Sequence, residues 1–355
     1  MRRTLLGVAL LAVMVTSGAW LMHAGVEIER PAAGGSEVTE SRSALGHVKR
    51  WGYQLKNLDP RAAGASAFDL LVVDPDNLKG WRSKTQEAAV DIMRQKPDGS
   101  RRLVLAYLSI GEAESYRDYW SKSWVEPVLV GGNSVAAARP AASSGGRFAA
   151  PPIGGATAVA RQPSRTAPAW LAEENPRWRG NYLVRYWDAG WQALMFGGPQ
   201  AALDQIVAAG FDGVYLDRAD VHAAFRPERP TAETEMVDLI LRLAAYAREQ
   251  NPEFLVVMQN AEELIAHGRV RQTIDAVAKE DLLYGVAGPA AVNDPADVTA
   301  SLHYLSKLRR EGRPVFVVEY VDSPKLVAEA RDRLSSLDFV PYFAPRDLDR
   351  LQVAQ

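Results

Sequence analysis

The sequence contains no cysteine, only five histidines and no excess of charge of either sign. Without cysteine, the chain has no disulfide bonds, thiolate metal sites or cysteine nucleophile. Its 41 lysines and arginines face 43 aspartates and glutamates, so the basic excess typical of nucleic-acid binding is missing. We therefore predict no nucleic-acid partner, and catalytic chemistry must come from carboxylates, histidines, hydroxyls or lysines.

Several catalytic motifs are also missing. The sequence has no HExxH, no GxSxG, no Walker A loop and no GxGxxG after a predicted strand. These absences argue against zinc proteolysis, serine hydrolysis of the nucleophile-elbow type and the use of nucleotides. We predict no cofactor and no resident metal.

The N-terminus has the pattern of an export signal. Arg2 and Arg3 precede an apolar run from Leu5 to Met22, and small residues that suit cleavage follow. The run is also long enough to remain as a membrane anchor. We predict that residues 1–24 are a signal peptide or anchor, and that the protein is exported to the periplasm or the extracellular space.

Two further segments have the composition of linkers. Residues 25–47 are polar and small, which predicts a flexible spacer. Residues 131–168 are dominated by Ala, Gly, Ser and Pro, which predicts a disordered insertion that cannot bury enough apolar area to order itself. The catalytic or binding domain is then expected at 48–352, interrupted by this insertion.

Within that domain, short apolar runs alternate with segments of helical periodicity, which indicates βα units around a parallel sheet. We predict a single (β/α)₈ TIM barrel with an extra C-terminal strand. The eight predicted strands are WGYQL from Trp51, FDLLVVD from Phe68, LVLAYLSI from Leu103, YLVRYWD from Tyr182, GVYLD from Gly213, LVVMQN from Leu255, IDAVAKE from Ile274 and VFVVEY from Val315, and the ninth run is FVPYFA from Phe339.

The helical segments carry apolar residues three and four positions apart. In one of them Met236, Leu239, Ile240 and Leu243 form a stripe, which predicts a core-facing helix and not a cofactor site. The predicted helices cover 84–95, 192–209, 233–250, 298–311 and 325–334.

Polar side chains recur where the predicted strands end. In a parallel barrel the carboxyl ends of the strands form one mouth, so these side chains are expected to converge there. A single aspartate in this position more often caps the following helix, but seven such positions in one register are harder to explain as caps. The seven strand ends carry Asp74, Glu112, Asp188, Asp217, the adjacent pair Gln259-Asn260, Glu280 and Glu319.

The strongest local motif is GFDGVYLDRAD, which places Asp217 at a strand end and Asp220 three residues later. Paired acids serve either glycoside hydrolysis or binding of a divalent metal, and this motif alone leaves both open. VAKEDLLYG places Glu280 at the end of a later strand, where it is expected to face Asp217 across the mouth, with Tyr284 one turn further on.

Aromatic residues accompany the acids. YLSIGEAESYRDYW combines Tyr107, Glu112 and Glu114 with further aromatic residues, and Trp187 follows in YLVRYWD. Pyranose rings stack on aromatic faces while their hydroxyls form hydrogen bonds with carboxylates and amides. The combination favours a sugar-binding groove.

Together these motifs resemble the extracellular (β/α)₈-barrel proteins of glycoside hydrolase family 114, the endo-α-1,4-polygalactosaminidases. The similarity runs from about Trp51 to Leu351 and rests on YLSIGEAESYRDYW, NPRWRGNYLVRYWDAGWQ, GFDGVYLDRADVHAAF, VVMQNAEEL and KEDLLYG. Relatives have also been labelled cysteinyl-tRNA synthetase related, but this sequence has no synthetase motif. The resemblance implies retaining hydrolysis of α-linked galactosamine polymers by Asp217 and Glu280.

The sequence thus predicts an exported, internally cleaving glycosidase. Asp217 is expected to be a charged nucleophile, and Glu280 an acid/base with a raised pKa. An acidic mouth would attract a cationic amino-sugar polysaccharide. The alternative is a non-catalytic carbohydrate-binding barrel of a cell-surface polysaccharide system. The predicted substrate-binding residues are Asp74, Tyr107, Glu112, Trp187, Asp188, Asp220, Gln259, Asn260, Tyr284 and Glu319.

Overall fold

The computed structural model describes residues 40–78, 84–128 and 160–352. The expected signal segment at 1–24 lies outside this range. The strands are Trp51–Gln54 (β1), Leu70–Val73 (β2), Leu103–Ser109 (β3), Glu112–Glu114 (β4), Val125–Val128 (β5), Ala160–Pro163 (β6), Leu171–Glu174 (β7), Asn181–Val184 (β8), Gly213–Asp217 (β9), Leu255–Gln259 (β10), Ala276–Glu280 (β11), Val315–Glu319 (β12) and Val340–Phe343 (β13). The α-helices are Glu40–Gly46 (α1), Pro60–Gly64 (α2), Lys84–Arg94 (α3), Ala189–Met195 (α4), Ala202–Ala208 (α5), His222–Phe225 (α6), Ala232–Gln250 (α7), Gly268–Thr273 (α8), Pro295–Arg310 (α9) and Pro324–Ser336 (α10).

Eight strands form one sheet in the order β1-β2-β3-β9-β10-β11-β12-β13, and every neighbouring pair is parallel. The first and last strands meet at a seam, where Nε1 of Trp51 donates a hydrogen bond of 3.0 Å to the carbonyl of Val340. The sheet is therefore a nearly closed barrel. The predicted (β/α)₈ fold is confirmed.

The barrel strands are apolar on both faces because one face meets the helices and the other fills the interior. Leu70–Val73, for example, is buried at every position. Aromatic rings occupy much of the interior: the ring centroids of Trp51 and Phe316 are 5.5 Å apart, and those of Tyr53 and Tyr215 are 5.1 Å apart. The barrel is thus a packed core, and chemistry is restricted to its ends.

Helix α7 illustrates how the outer layer forms. The predicted stripe of Met236, Leu239, Ile240 and Leu243 is buried, which confirms its core role. Glutamates in the first turn and an arginine in the last complement the helix dipole. Across residues 40–78, 84–128 and 160–352, no helix has the length and apolar character needed to cross a bilayer.

Two strand assignments from the sequence are wrong. The YLVRYWD run is not a barrel strand, because its strand β8 pairs antiparallel with β4 and β7 in a separate sheet and is buried only at alternate positions. The C-terminal run is not an extra strand, because β13 is the eighth strand of the barrel. Asp217 and Glu280 therefore end the fourth and sixth barrel strands, and not the fifth and seventh as counted from the sequence.

Both predicted linkers end in ordered structure. Residues 40–46 of the expected spacer form α1, where Leu45 is buried and Nε of Arg42 lies 2.6 Å from Asp275. Near the end of the expected insertion, β6 pairs antiparallel with β5. Residues 131–159, the remainder of that insertion, lie outside the described residues.

Candidate active site

Asp217 and Glu280 stand at the carboxyl ends of β9 and β11, the two strands on either side of β10. The first residue after each of these three strands has a left-handed backbone, with φ of 64° at Arg218, 55° at Asn260 and 50° at Asp281. This conformation costs a non-glycine residue about 1–2 kcal/mol and is concentrated at functional sites. Strain therefore marks the end of the barrel that holds the two acids.

The Asp217 carboxylate accepts two hydrogen bonds. The hydroxyl of Tyr107 donates to Oδ2 over 2.9 Å, and the backbone amide of Arg218 donates to Oδ1 over 2.8 Å. Tyr107 lies on β3, which pairs with β9. Adjacent strands thus position the acid and its donor.

The Glu280 carboxylate is held from both neighbouring strands of its sheet. Nδ2 of Asn260, just after β10, donates to Oε2 over 3.3 Å. The hydroxyl of Tyr320, just after β12, donates to Oε1. The predicted binding residue Asn260 therefore contacts a predicted catalytic acid directly.

The two acids influence each other's ionisation. Burial, together with the negative charge of Glu280, raises the pKa of Asp217 to about 8 against the opposing charge of Arg218. Burial also raises the pKa of Glu280, although the hydrogen bond from Tyr320 opposes this rise. Because like charges resist joint ionisation, the pair retains a proton near neutral pH. Burial thus opposes the charge on Asp217 that its hydrogen bonds favour.

A second group of acids surrounds Arg117. Its guanidinium lies 2.7 Å from Asp74, 2.9 Å from Asp76 and 2.5 Å from Glu114. Oε1 of Glu114 also lies 3.3 Å from the Tyr107 hydroxyl, which links this cluster to Asp217. Burial raises the pKa of Asp74 to about 6. Asp74 is thus a buried partner of Arg117, linked to the pair through other side chains.

Arg218 holds two more of the predicted residues. Its guanidinium lies 2.9 Å from Glu112 and 3.3 Å from Asp220. Glu112 also accepts a hydrogen bond of 2.7 Å from Nδ2 of Asn175. The acidic mouth expected from the sequence is therefore partly neutralised, although Arg117 and Arg218 each serve more than one carboxylate.

Other predicted binding residues have structural roles. Asp188 caps α4 through a 2.7 Å hydrogen bond from the amide of Gly190. Gln259 accepts a hydrogen bond of 3.3 Å from the Tyr53 hydroxyl and is buried. One oxygen of each side chain is thus used within the protein.

The side chain of Glu319 binds the backbone next to and at Tyr284. The Glu319 carboxylate accepts hydrogen bonds of 2.7 Å from the amide of Leu283 and 3.3 Å from the amide of Tyr284. Burial raises the pKa of Glu319 to about 8. Glu319 therefore holds the loop after β11 in place.

Trp187 lies among helices. Its ring contacts Phe225 with centroids 5.1 Å apart, and Arg229 stacks over it at 4.9 Å. It also lines a cavity of about 710 Å³ together with residues of α7 such as Leu239 and Arg242. The structure thus brings Trp187 to the helical layer and not to the pair.

Sequence reasoning missed the cations and hydroxyls that organise the site: Arg117, Arg218, Lys279 and Tyr320. Tyr320 directly follows Glu319 at a strand end, so the rule that located the acids also applied to it. The arginines gave no comparable signal, because one partner of each, Asp74 for Arg117 and Glu112 for Arg218, lies far away in sequence. In the described residues no group of three or more acidic or histidine side chains is arranged to hold a metal ion.

Two exposed aromatic residues flank this region. Of the large hydrophobic side chains in the described residues, only Ile92, Tyr116, Trp178 and Val292 are exposed. Tyr116 is 58% exposed, and its hydroxyl donates to Glu114 over 2.6 Å. Trp178 is 47% exposed, and its amide donates to the carbonyl of Asn175. Tyr116 therefore joins the network that leads to Asp217 through its hydroxyl, and Trp178 is connected to Glu112 through its backbone contact with Asn175.

Comparison with known proteins gives related chains in distant organisms. An uncharacterized protein of Deinococcus radiodurans is 34% identical over 322 residues, covering 88% of this chain and 86% of that protein. An uncharacterized protein of Methanocaldococcus jannaschii is 30% identical over 318 residues, covering 85% and 77%. The similarity thus spans the barrel and most of each relative.

A solved structure shares the fold. The glycoside hydrolase domain of PelA from Pseudomonas aeruginosa superposes with a TM-score of 0.56 at 19% identity, covering 86% of this chain and 98% of that domain. Residues 153–355, more than half of this chain, match the glycoside-hydrolase family GH114. The chain therefore belongs to family GH114 and is a glycoside hydrolase built on a (β/α)₈ barrel.

Proposed function

We propose that this enzyme hydrolyses α-linked galactosamine-type polysaccharide within the chain and retains the anomeric configuration. The observation that carries the proposal is the pair of Asp217 and Glu280. These are two buried carboxyls at the same end of the barrel whose charges interact and which keep a proton near neutral pH. Retaining glycosidases require one ionised and one protonated carboxyl in one site.

In the proposed reaction, Glu280 donates its proton to the glycosidic oxygen while a carboxylate oxygen of Asp217 attacks the anomeric carbon. The bond to the leaving sugar breaks and a glycosyl ester forms on Asp217. Glu280, now ionised, takes a proton from water, whose oxygen attacks the anomeric carbon and releases Asp217. The hydrogen bonds from Tyr107 and the Arg218 amide support a negative charge on Asp217.

A cationic substrate suits this pair. An ammonium group near Asp217 favours its charged form, and thereby lowers the pKa that burial and Glu280 raise in the free protein. Glu280 then holds the single proton of the pair and Asp217 is ionised, as the proposed reaction requires. The carboxylates around Arg117 and Arg218 outnumber these arginines, which supports attraction of a positively charged polymer.

Cleavage within a polymer requires binding of sugars on both sides of the scissile bond. The exposed rings of Tyr116 and Trp178 support such contacts, because pyranose faces stack on aromatic rings. Arg117 lies 4.9 Å from the centroid of the Tyr116 ring and helps to hold it in place. These two aromatic residues are the proposed contacts beyond the reacting sugar.

Export also belongs to the proposal. The charged and then apolar pattern at residues 1–24 supports delivery to the periplasm or the extracellular space. Mass spectrometry of the mature N-terminus after expression of the full chain tests this. A new N-terminus near residue 24 identifies a cleaved signal, an intact one in the membrane fraction identifies an anchor, and an intact chain in the cytoplasm contradicts export.

The enzymatic proposal is tested by Asp217→Asn and Glu280→Gln, assayed for reducing ends released from partly deacetylated α-1,4-galactosamine polymer. Both variants are expected to lose at least about a thousandfold in rate while still binding the polymer. Asp294→Asn is a matched control, because Asp294 caps α9 through the amide of Ala296 and asparagine caps equally well. Unchanged release by Asp217→Asn contradicts the proposed nucleophile, whereas polymer binding without any release by the wild-type protein favours a carbohydrate-binding barrel.

A further inference from the structure

Lys279 is a buried cation that the proposed reaction does not use. It precedes Glu280 on β11, and its Nζ lies 3.4 Å from Oε1 of Glu262. Glu262 is also buried and accepts a hydrogen bond from Ser301 on α9. Buried ion pairs contribute little net stability, because desolvation offsets their attraction. Net stability therefore does not explain why Lys279 and Glu262 are buried together.

The second contact of Lys279 indicates another role. Its Nζ lies 3.4 Å from Oδ1 of Asn260, and the same oxygen accepts a hydrogen bond of 3.1 Å from the backbone amide of Glu280. With Oδ1 facing two donors, Nδ2 of Asn260 is left to face Oε2 of Glu280. A flipped amide would place its NH₂ group against an ammonium and an N–H.

We propose that Lys279, paired with Glu262, is a positioning residue that holds the Asn260 amide in the orientation in which Nδ2 donates to the Glu280 carboxylate. The backbone of Asn260 is already fixed, since its amide donates to the carbonyl of Ala278 over 2.8 Å. The amide orientation is the remaining freedom, and Lys279 limits it together with the backbone amide of Glu280. This inference rests on the proposed acid/base role of Glu280.

Loss of that orientation changes the ionisation of Glu280. The hydrogen bond from Asn260 favours the charged carboxylate and lowers its pKa, so its loss raises the pKa. Several other groups act on the same carboxyl and must stay unchanged in a test. They are Asp217 and Tyr215 from β9, Tyr53 from β1, Asp281 after β11, Tyr320 after β12 and Arg346 after β13.

The test replaces the ion pair as a unit. Lys279→Met/Glu262→Gln removes one positive and one negative charge, so the net charge of the site is unchanged, and the new amide oxygen at position 262 would still accept from Ser301. Lys279→Gln/Glu262→Gln is the conservative partner, because it keeps an N–H donor next to Asn260. Each double variant is made in the native background and with Asn260→Gly, since glycine tolerates the left-handed backbone at this position.

The measurement is a ¹³C NMR titration of the Glu280 carboxyl, assigned from the signal that disappears in Glu280→Gln. In the native background, Lys279→Met/Glu262→Gln is expected to raise the titration midpoint by about 0.5–1 pH unit. The same double change should leave the midpoint unaltered in the Asn260→Gly background. Lys279→Gln/Glu262→Gln should stay near the wild-type midpoint.

An unchanged titration midpoint of Glu280 in the native background overturns the inference. An equal rise of the midpoint in the Asn260→Gly background also overturns it, because the charges of Lys279 and Glu262 would then act on Glu280 directly and not through Asn260. The titration needs no substrate, so its outcome is separate from that of the proposed function. If the wild-type enzyme hydrolyses the polymer but the midpoints do not differ, only the inference fails. If the midpoints behave as expected but no hydrolysis occurs, only the proposed function fails.

Discussion

Tyr107 on β3 donates a 2.9 Å hydrogen bond to Oδ2 of Asp217 on β9, and the two strands pair side by side in the barrel. The same hydroxyl lies 3.3 Å from Oε1 of Glu114, which Arg117 holds in place. The proposed nucleophile is thus connected, through one phenol, to a buried cluster of charges. Its orientation and its charge both depend on that connection.

Tyr107→Phe removes this donor while keeping the ring. The hydrogen bond lowers the pKa of Asp217, so its loss is expected to raise that pKa and to lower kcat/KM by about 10- to 100-fold. The pH–rate profile checks the cause, because the alkaline limb, which reports loss of the last proton of the pair, should move to higher pH. A drop in rate with an unchanged profile would mean that Tyr107 acts only through packing.

The pH dependence of the wild-type enzyme should be bell-shaped. The pair is active when it holds one proton. It loses this proton as pH rises through the higher of its two apparent pKa values, which is about 8 in the free enzyme. The alkaline limb of kcat/KM is therefore expected near pH 8. A plateau that extends beyond about pH 10 would contradict a shared proton.

Stability should also depend on pH through Glu319. Its folded-state pKa is raised to about 8 by burial, so the folded protein binds a proton that the unfolded chain, with an ordinary glutamate pKa, has already lost. The free energy of unfolding is thus expected to fall as pH rises from about 4.5 to about 8, by more than about 1 kcal/mol. Urea titrations across this range measure it.

Glu319→Gln is the matching variant, because an amide cannot ionise but its oxygen can still accept from Leu283 or Tyr284. It should flatten the decline between these pH values. A decline of the same size in Glu319→Gln would assign the effect to other buried acids, such as Asp74, and not to Glu319.

Trp178→Ala tests the proposed contact beyond the reacting sugar. It is expected to raise KM for the polymer by about 10-fold, since aromatic stacking contributes about 0.5–1.5 kcal/mol, and to leave hydrolysis of a short activated galactosaminide unchanged. Ile92→Ala on α3 is the control, as a second exposed hydrophobic residue. Equal effects on polymer and short substrate would remove Trp178 from the proposed groove.

The fold could be predicted because the barrel strands are continuous apolar runs and their helices carry clear stripes. The errors arose where that signal is ambiguous. YLVRYWD is as rich in aromatic and β-branched residues as a core strand, yet β8 is buried on one face only. The predicted helix at 192–209 is instead α4 and α5, separated by Gly197, Gly198 and Pro199.

The acids of the site could be located because strand ends converge in a barrel, and Asp217 and Glu280 follow that rule. Their environment could not be predicted. Arg117 binds Asp74 across 43 positions, and Tyr107 binds Asp217 across 110, so only the folded chain shows these pairs. The same holds for Asp188, whose capping role depends on where α4 begins.

Trapping the glycosyl ester is the most direct test of Asp217 as the nucleophile. A 5-fluoro-α-galactosaminyl fluoride needs no acid to leave, so Glu280→Gln should form the ester with this reagent but hydrolyse it slowly, and peptide mass spectrometry then locates the sugar. We expect one sugar on the peptide that carries Asp217, and none in Asp217→Asn. A sugar on another residue, or steady turnover of the reagent by Asp217→Asn, would contradict it.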